Sequence, residues 1–161
     1  LLRPGLKVQT GELQSRGIET EARGRFGNLN VIAAYSLTDA EVTRSNTTNL
    51  GKRPTMVPKN VASVWGDYAM PEGALQGLGF GAGVRYSDYT FGNQINTIKV
   101  PSITLVDAVL YYDLRGALEG TRVSLNVSNL LDESYVSACL SETSCYFGAQ
   151  RNVTASVRHH W

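Results

Sequence analysis

The feature that most constrains this chain is a two-residue alternation of apolar and polar side chains that recurs along nearly all of it. It is plain in the last stretch, where Val153, Ala155, Val157 and Trp161 alternate with Asn152, Thr154, Ser156, Arg158 and His160. A period of two over that length makes a strand with one apolar and one polar face, because successive side chains leave a strand on opposite sides. Upstream, residues 13–25, with a start as early as Lys7, set Ile18, Thr20 and Ala22 against Glu19, Glu21 and Arg23. Residues 29–38 set Leu29, Val31, Ala33, Tyr35 and Leu37 against Asn30, Ala34, Ser36 and Thr38. The same pattern returns over 60–70, 78–87, 102–114 and 122–128, and is clearest where Leu78, Phe80, Ala82, Val84 and Tyr86 alternate with Gly79, Gly81, Gly83, Arg85 and Ser87. Helical periodicity is hard to find anywhere.

The connections between these segments alternate in length. A tight turn at Gly27-Asn28, a short link at Pro71-Glu72-Gly73 and a brief turn over 115–120 are interleaved with polar loops at about 43–58, 87–99 and 133–148. A meander with its tight turns at one end and its long loops at the other is the pattern of an outer-membrane β-barrel, with lipid outside and a wet lumen within. Ten residues at about 3.3 Å each, tilted near 40°, climb roughly 25 Å, the height of the apolar band of such a barrel. Strands this long exceed the usual soluble length of about five or six residues. The competing architecture is a soluble sandwich, whose Greek-key crossings rarely give such regular alternation.

Bulk properties agree. The 161 residues carry a formal charge of +1 and no long apolar run, so membrane helices are excluded while an alternating barrel is not. Scattered Lys and Arg give no basic stripe, which argues against nucleic acid as a partner. The chain opens Leu1-Leu2-Arg3-Pro4-Gly5, without an initiator Met or a signal-like segment, and reads as a mature product or a piece of a longer chain. Burial energetics fix which face looks outward: a Lys or Arg at the lipid midplane costs roughly 2–4 kcal/mol. Glu19, Glu21 and Arg23, with Asp67, Arg85 and Asp113, therefore belong on the lumen side, where charge pairing is the default expectation and contact with a plug the alternative. Gly79, Gly81 and Gly83 bare one stretch of that face, leaving room either for a plug or for large neighbouring side chains.

Several stretches then resemble one family. Ser15-Arg16-Gly17-Ile18-Glu19-Thr20-Glu21-Ala22 looks like a strand of the TonB-dependent siderophore receptors. Leu50-Gly51-Lys52-Arg53-Pro54, Val57-Pro58-Lys59 and Ala62-Ser63-Val64-Trp65 resemble their loop-to-strand passage, and Asp107-Ala108 before Tyr112 their next landmark. Asn126-Val127-Ser128-Asn129-Leu130-Leu131-Asp132-Glu133-Ser134-Tyr135 resembles their "N-L-F/L-D-x-x-Y" motif. The block from Tyr135 through Cys139 and Cys145 to Arg151 is most similar to the ferrichrome-type hydroxamate receptors. The resemblance implies an all-β, antiparallel, up-and-down transmembrane barrel segment: about seven strands of a barrel of roughly 22, with residues 1–161 its C-terminal portion and the plug domain and TonB box absent.

The same resemblance implies a bacterial outer-membrane receptor for TonB-dependent uptake of a ferric siderophore, hydroxamate and ferrichrome-like. The ferric siderophore is a ligand, and no cofactor is implied. Its partners are the TonB energy-transducing complex acting through the missing plug, outer-membrane lipid, and the barrel assembly machinery, which recognises a final aromatic, here Trp161. It implies a disulfide between Cys139 and Cys145, worth about 2 kcal/mol for so small a loop. Ferrichrome-type receptors place a ligand-touching aromatic next to the first cysteine. Leu140 stands there, and Tyr146 and Phe147 are the aromatic candidates across the disulfide, with the interfacial girdle as their other reading. His159-His160 reads as interfacial rather than as a metal site, and no catalytic constellation is legible, so no enzyme is expected. Two other functions compete: a porin-like or structural barrel without ligand-gated transport, and a soluble secreted β-sandwich module that binds carbohydrate.

Overall fold

A computed structural model describes residues 11–141 and 143–160; Trp161, and any strand start before residue 11, lie outside them. The elements are β1 (Glu12–Phe26), β2 (Leu29–Arg44), β3 (Asn60–Ala69), β4 (Leu78–Ser87), β5 (Thr90–Phe91), β6 (Lys99–Val100), β7 (Ile103–Asp113), β8 (Thr121–Ser128), β9 (Val136–Ser141), β10 (Ser144–Phe147) and β11 (Asn152–His159). Seven of them form one antiparallel sheet in the order β1-β2-β3-β4-β7-β8-β11. Each long strand pairs with the next, so the sheet is a meander, open at β1 and β11.

The register carries the sequence pattern across the whole sheet. One row runs Phe26, Leu29, Tyr68, Phe80, Leu110, Leu125 and Ala155, without a break through all seven strands. The adjacent row, on the other face, runs Arg25, Asn30, Asp67, Gly81, Val109, Asn126 and Thr154. A slip of one residue in any strand would exchange its faces, so burying one face in hydrocarbon fixes the register of all.

Among the described residues the apolar face meets no second sheet. Val64 is 53% exposed and Val157 71%. This removes the sandwich, whose defining contact is between two inner faces. Among the described residues the buried apolar side chains are Ala40, Val100, Leu105 and Cys139, and all lie toward the end that carries the long connections. A sheet that bares its apolar face and keeps its small core at one end is built for a solvent other than water on that face.

The short connections are 27–28, 70–77 and 114–120, and the long ones 45–59, 88–102 and 129–151. Gly27 takes φ 62° while Asn28 keeps a negative φ, which fits a type II′ hairpin with its one obligatory glycine. Two long connections depart from the simple polar loops expected. The second folds into the β5–β6 hairpin and the third into the β9–β10 hairpin. Strand β2 also runs on to Arg44, past the expected loop start, because β1 remains paired with it as far as Glu12.

Candidate functional site

The long-loop end is held together by side chains, and its base is the neck of the third loop. Asn129, only 2% exposed, uses every polar atom of its amide. Nδ2 donates to the carbonyls of Glu133 (2.9 Å) and Ala149 (3.2 Å), and Oδ1 accepts from the Glu133 N–H at 2.9 Å. Both sides of the loop are thus tied to one residue. Three residues on, Asp132 accepts the Arg151 N–H at 2.9 Å and pairs with its guanidinium at 3.2 Å. The Arg151 N–H, then the Arg151 side chain, hold the Asp132 carboxyl below its ordinary value. The Tyr135 ring lies where a side chain on Gly148 would stand, and the Gly148 N–H donates to the Tyr135 carbonyl at 2.8 Å. The Asn129-to-Tyr135 motif is therefore a clamp that closes the loop at its root.

Above the clamp, a disulfide joins Cys139 of β9 to Cys145 of β10. Cys139 is buried because the second loop packs against it: a methyl group on Gly92 would meet Cys139 Cβ at 2.6 Å. The hairpin's other side is open. Leu140 and Tyr146 are just over half exposed and Phe147 is 79% exposed. Register places Tyr146 opposite Ala138, on the same side as Leu140. These rings are not part of the apolar face of the sheet, where Tyr35 and Tyr86 occupy the rim at this end.

The first and second loops are cross-braced. The Arg53 N–H donates to Asn96 Oδ1 at 2.8 Å, and Asn96 Nδ2 returns a bond to the Arg53 carbonyl at 2.9 Å. The Arg53 guanidinium sits 5.1 Å from the Tyr89 ring centre and 5.5 Å from that of Phe91, and Lys99 Nζ approaches Tyr89 to 3.9 Å. At the root of the second loop, Asp88 accepts Asn60 Nδ2 at 2.9 Å and the Tyr89 N–H at 2.8 Å. The Asn60 amide, ahead of the Tyr89 N–H, keeps its carboxyl below the ordinary range. Neither Arg53, Tyr89 and Asn96 in this brace nor Asp107 and Asn129 at the neck were legible as partners, since Arg53 meets Asn96 from another loop and Asp107 meets Asn129 from a different strand.

On the polar face, Arg23 pairs with Glu21 at 2.7 Å and Arg122 forks onto Asp113 at 2.6 and 2.8 Å. Arg85 donates Nη2 to Asp107 at 2.9 Å. Asp67 takes the Asn30 amide at 3.1 Å instead of a cation, and Glu19 lines a shallow groove with Ser36 and Ser63. The bare glycines are covered by their neighbours. Trp65 lies across Gly81 and Gly83, and Tyr111, with the Arg122 guanidinium 4.1 Å from its ring centre, lies across Gly79. Relief for large side chains is what those glycines provide.

Between sheet and loops is a cavity of about 410 Å³ lined by Arg85, Thr90, Val100, Leu105, Tyr135 and Val136, among others. Its lining combines one guanidinium, Arg85, with the Asp88 carboxylate, whose oxygens are already held by Asn60 and the Tyr89 N–H, and with Tyr86, Tyr135 and aliphatic walls, which suits a compact ligand with a few oxygen atoms and an apolar rim.

Residues 5–130 match the family described as TonB dependent receptor-like, beta-barrel. Over 152 residues, 93% of this chain, it is 43% identical to the ferrichrome outer membrane transporter/phage receptor of Escherichia coli K12, and covers 20% of that protein. It is 42% identical to the ferrioxamine B receptor of Salmonella typhimurium over 149 residues, 91% of this chain and 21% of that protein. Among solved structures, the siderophore receptor PiuA from Acinetobacter baumannii superposes with a TM-score of 0.77 at 27% identity, covering 91% of this chain and 22% of PiuA. The chain thus spans about a fifth of the length of these two curated relatives.

Proposed function

The chain belongs to the TonB-dependent receptor β-barrel family, and from that premise we propose that it is the C-terminal part of the wall of a receptor that takes up a ferric hydroxamate siderophore. The family is one of outer-membrane receptors and transporters, which supports a sheet lying with its apolar face to lipid and its polar face to the lumen. The long-loop end then faces outward as the ligand's entrance. The observation that carries the reading is the union of a coreless wall with a cross-braced loop end, which presents Leu140, Tyr146 and Phe147 above a mixed polar and apolar cavity. Hydroxamates are favoured because ferrichrome and ferrioxamine B, the ligands in the names of two relatives, are both of that class.

In this reading Leu140, Tyr146 and Phe147 contact the chelate, the Cys139–Cys145 bond fixes their hairpin, and Glu19, Glu21, Arg23, Asp67, Arg85 and Asp113 line the lumen. Energy arrives from the TonB complex through a plug in the rest of the receptor. Trp161 serves the barrel assembly machinery. The test is uptake of radiolabelled iron by cells whose only siderophore receptor is the full-length protein carrying this chain. Uptake from a ferric trihydroxamate, abolished by a protonophore or by loss of TonB, is expected. Uptake that persists without energy would make the protein a passive channel, and uptake confined to catecholate chelates would overturn the ligand class.

A further inference from the structure

The polar-face pair nearest the long loops differs from the others in what else it holds. Asp107 accepts Arg85 Nη2 at 2.9 Å and, on the same Oδ1, the backbone N–H of Asn129, also at 2.9 Å. Asn129 is the residue whose amide closes the neck of the third loop. An unbroken chain of hydrogen bonds therefore runs from a wall guanidinium, through one carboxylate, to the root of the β9–β10 hairpin. Its links differ in access. The Asp107 side chain is 18% exposed, whereas that of Arg85 is 53% exposed and lines the cavity beneath the loops. Arg85 commits two of its five N–H groups to Asp107. A guanidinium with further donors on a cavity wall can also take an oxygen anion, and one that binds there competes with Asp107 for it.

We propose that Arg85, acting through Asp107 and the Asn129 N–H, is a positioning residue that ties the posture of the β9–β10 hairpin to occupancy of the cavity by an oxyanion-bearing ligand. The proposal rests on the long-loop end being the ligand entrance. With the cavity empty, Arg85 holds Asp107 in place and Asp107 holds the neck. When chelate oxygens draw on Arg85, Asp107 is released from its fork, the Asn129 N–H loses a fixed acceptor, and the hairpin carrying Leu140, Tyr146 and Phe147 moves. The relay shares no residue with the Arg53–Asn96 brace between the other two loops, and reaches the second loop only where Gly92 packs on Cys139.

The test is hydrogen exchange of the full-length receptor in detergent, with and without a ferric trihydroxamate. Without ligand, Arg85→Met removes both bonds that fix Asp107 and is expected to speed exchange of the amides around Asn129, Glu133 and Gly148 about tenfold, as the Asn129 N–H loses a fixed acceptor. Residues 45–59 should keep wild-type exchange, Arg85→Lys should restore part of the protection, and Arg85→Met/Asp107→Asn should exchange no faster than Arg85→Met alone. With ligand, the wild-type hairpin changes its exchange, and Arg85→Met, saturated as judged by fluorescence quenching, does not. Wild-type neck exchange in Arg85→Met, or a wild-type ligand response in it, overturns the proposal. Should Arg85→Met not assemble, Arg85→Lys and Asp107→Asn carry the same comparison. A wild-type receptor that binds no trihydroxamate defeats the proposed function instead, and the ligand-free comparison then decides whether the relay exists.

Discussion

In the wall, Val64 and Val157 stand bare on one face while Glu21, Arg23 and Arg122 stand bare on the other. At the long-loop end, Val100, Leu105, Cys139 and Asn129 are sealed from solvent. The wall is stabilised by ladder hydrogen bonds and by the medium on either side. The loop end is stabilised by what its side chains do to one another: an amide spanning the neck, a disulfide packed under a glycine, a cation over two rings. The contrast teaches that one chain is solving two problems. A wall must tolerate any neighbour with the right polarity, so it depends on pattern. An entrance must present particular atoms in particular places, so it depends on specific contacts.

The contrast is sharpest if the wall's two faces answer oppositely to one charge. Val64→Arg on the apolar face is expected to lower folding stability by about 2–4 kcal/mol in lipid vesicles. Ala34→Arg, on the polar face opposite Glu21, should stay within about 0.5 kcal/mol of wild type. Equal effects in denaturant titrations of the full-length receptor would mean that the faces are not in different media. At the loop end, Asn129→Ala leaves the Glu133 N–H and two carbonyls without their partner, at a cost of about 1–3 kcal/mol. The loss should be confined to residues 129–151, seen as protease nicking there while the wall's heat-resistant migration in gels is unchanged. Arg53→Ala removes the brace over Tyr89 and Phe91, worth about 0.5–1 kcal/mol at an exposed site. Faster exchange is expected in residues 88–102 but not at the Asn129 neck, and faster exchange at both would merge the loops into one unit.

The smallest effect is set by pH. Because the Arg151 N–H and side chain depress the folded Asp132 value, that bond stabilises the neck above the unfolded value, near about 3.9 for Asp, and its contribution is lost as pH falls through the folded value. Neck protection should therefore decline below about pH 4 in wild type and decline less in Asp132→Asn, where the Asp107 carboxylate is the titrating group still bonded to the neck.

What could be read from the residues divides along the same line. The alternation of Phe80, Ala82, Val84 and Tyr86 with Gly79, Gly81, Gly83 and Arg85 gave the strand, its two faces and its register, since a period of two is local and survives without knowledge of neighbours. The expectation that Glu21, Arg23, Arg85 and Asp113 share the face opposite the apolar one followed from the cost of charge in hydrocarbon, and the register sets them on that face. The Asn129-to-Tyr135 stretch was recognisable as a motif, but its work as a clamp was not, because Asn129 binds Ala149 and Asp132 binds Arg151 across a loop whose path no local pattern fixes. The β5–β6 and β9–β10 hairpins were missed for a related reason: their strands are only two to six residues long, too short to show a period of two, and β9 and β10 pair with register shifts.

The chain's own order of side chains determined the meander, the two faces and the alternation of short and long connections, because hydrophobic periodicity and turn chemistry act over a few residues. Only the folded arrangement decided that Trp65 and Tyr111 lie over the glycines of β4, that Gly92 seats the disulfide, and that Asp107 joins Arg85 to Asn129. Each of those contacts brings together residues far apart in the chain, and which distant groups meet is set by the packing of the whole sheet and its loops.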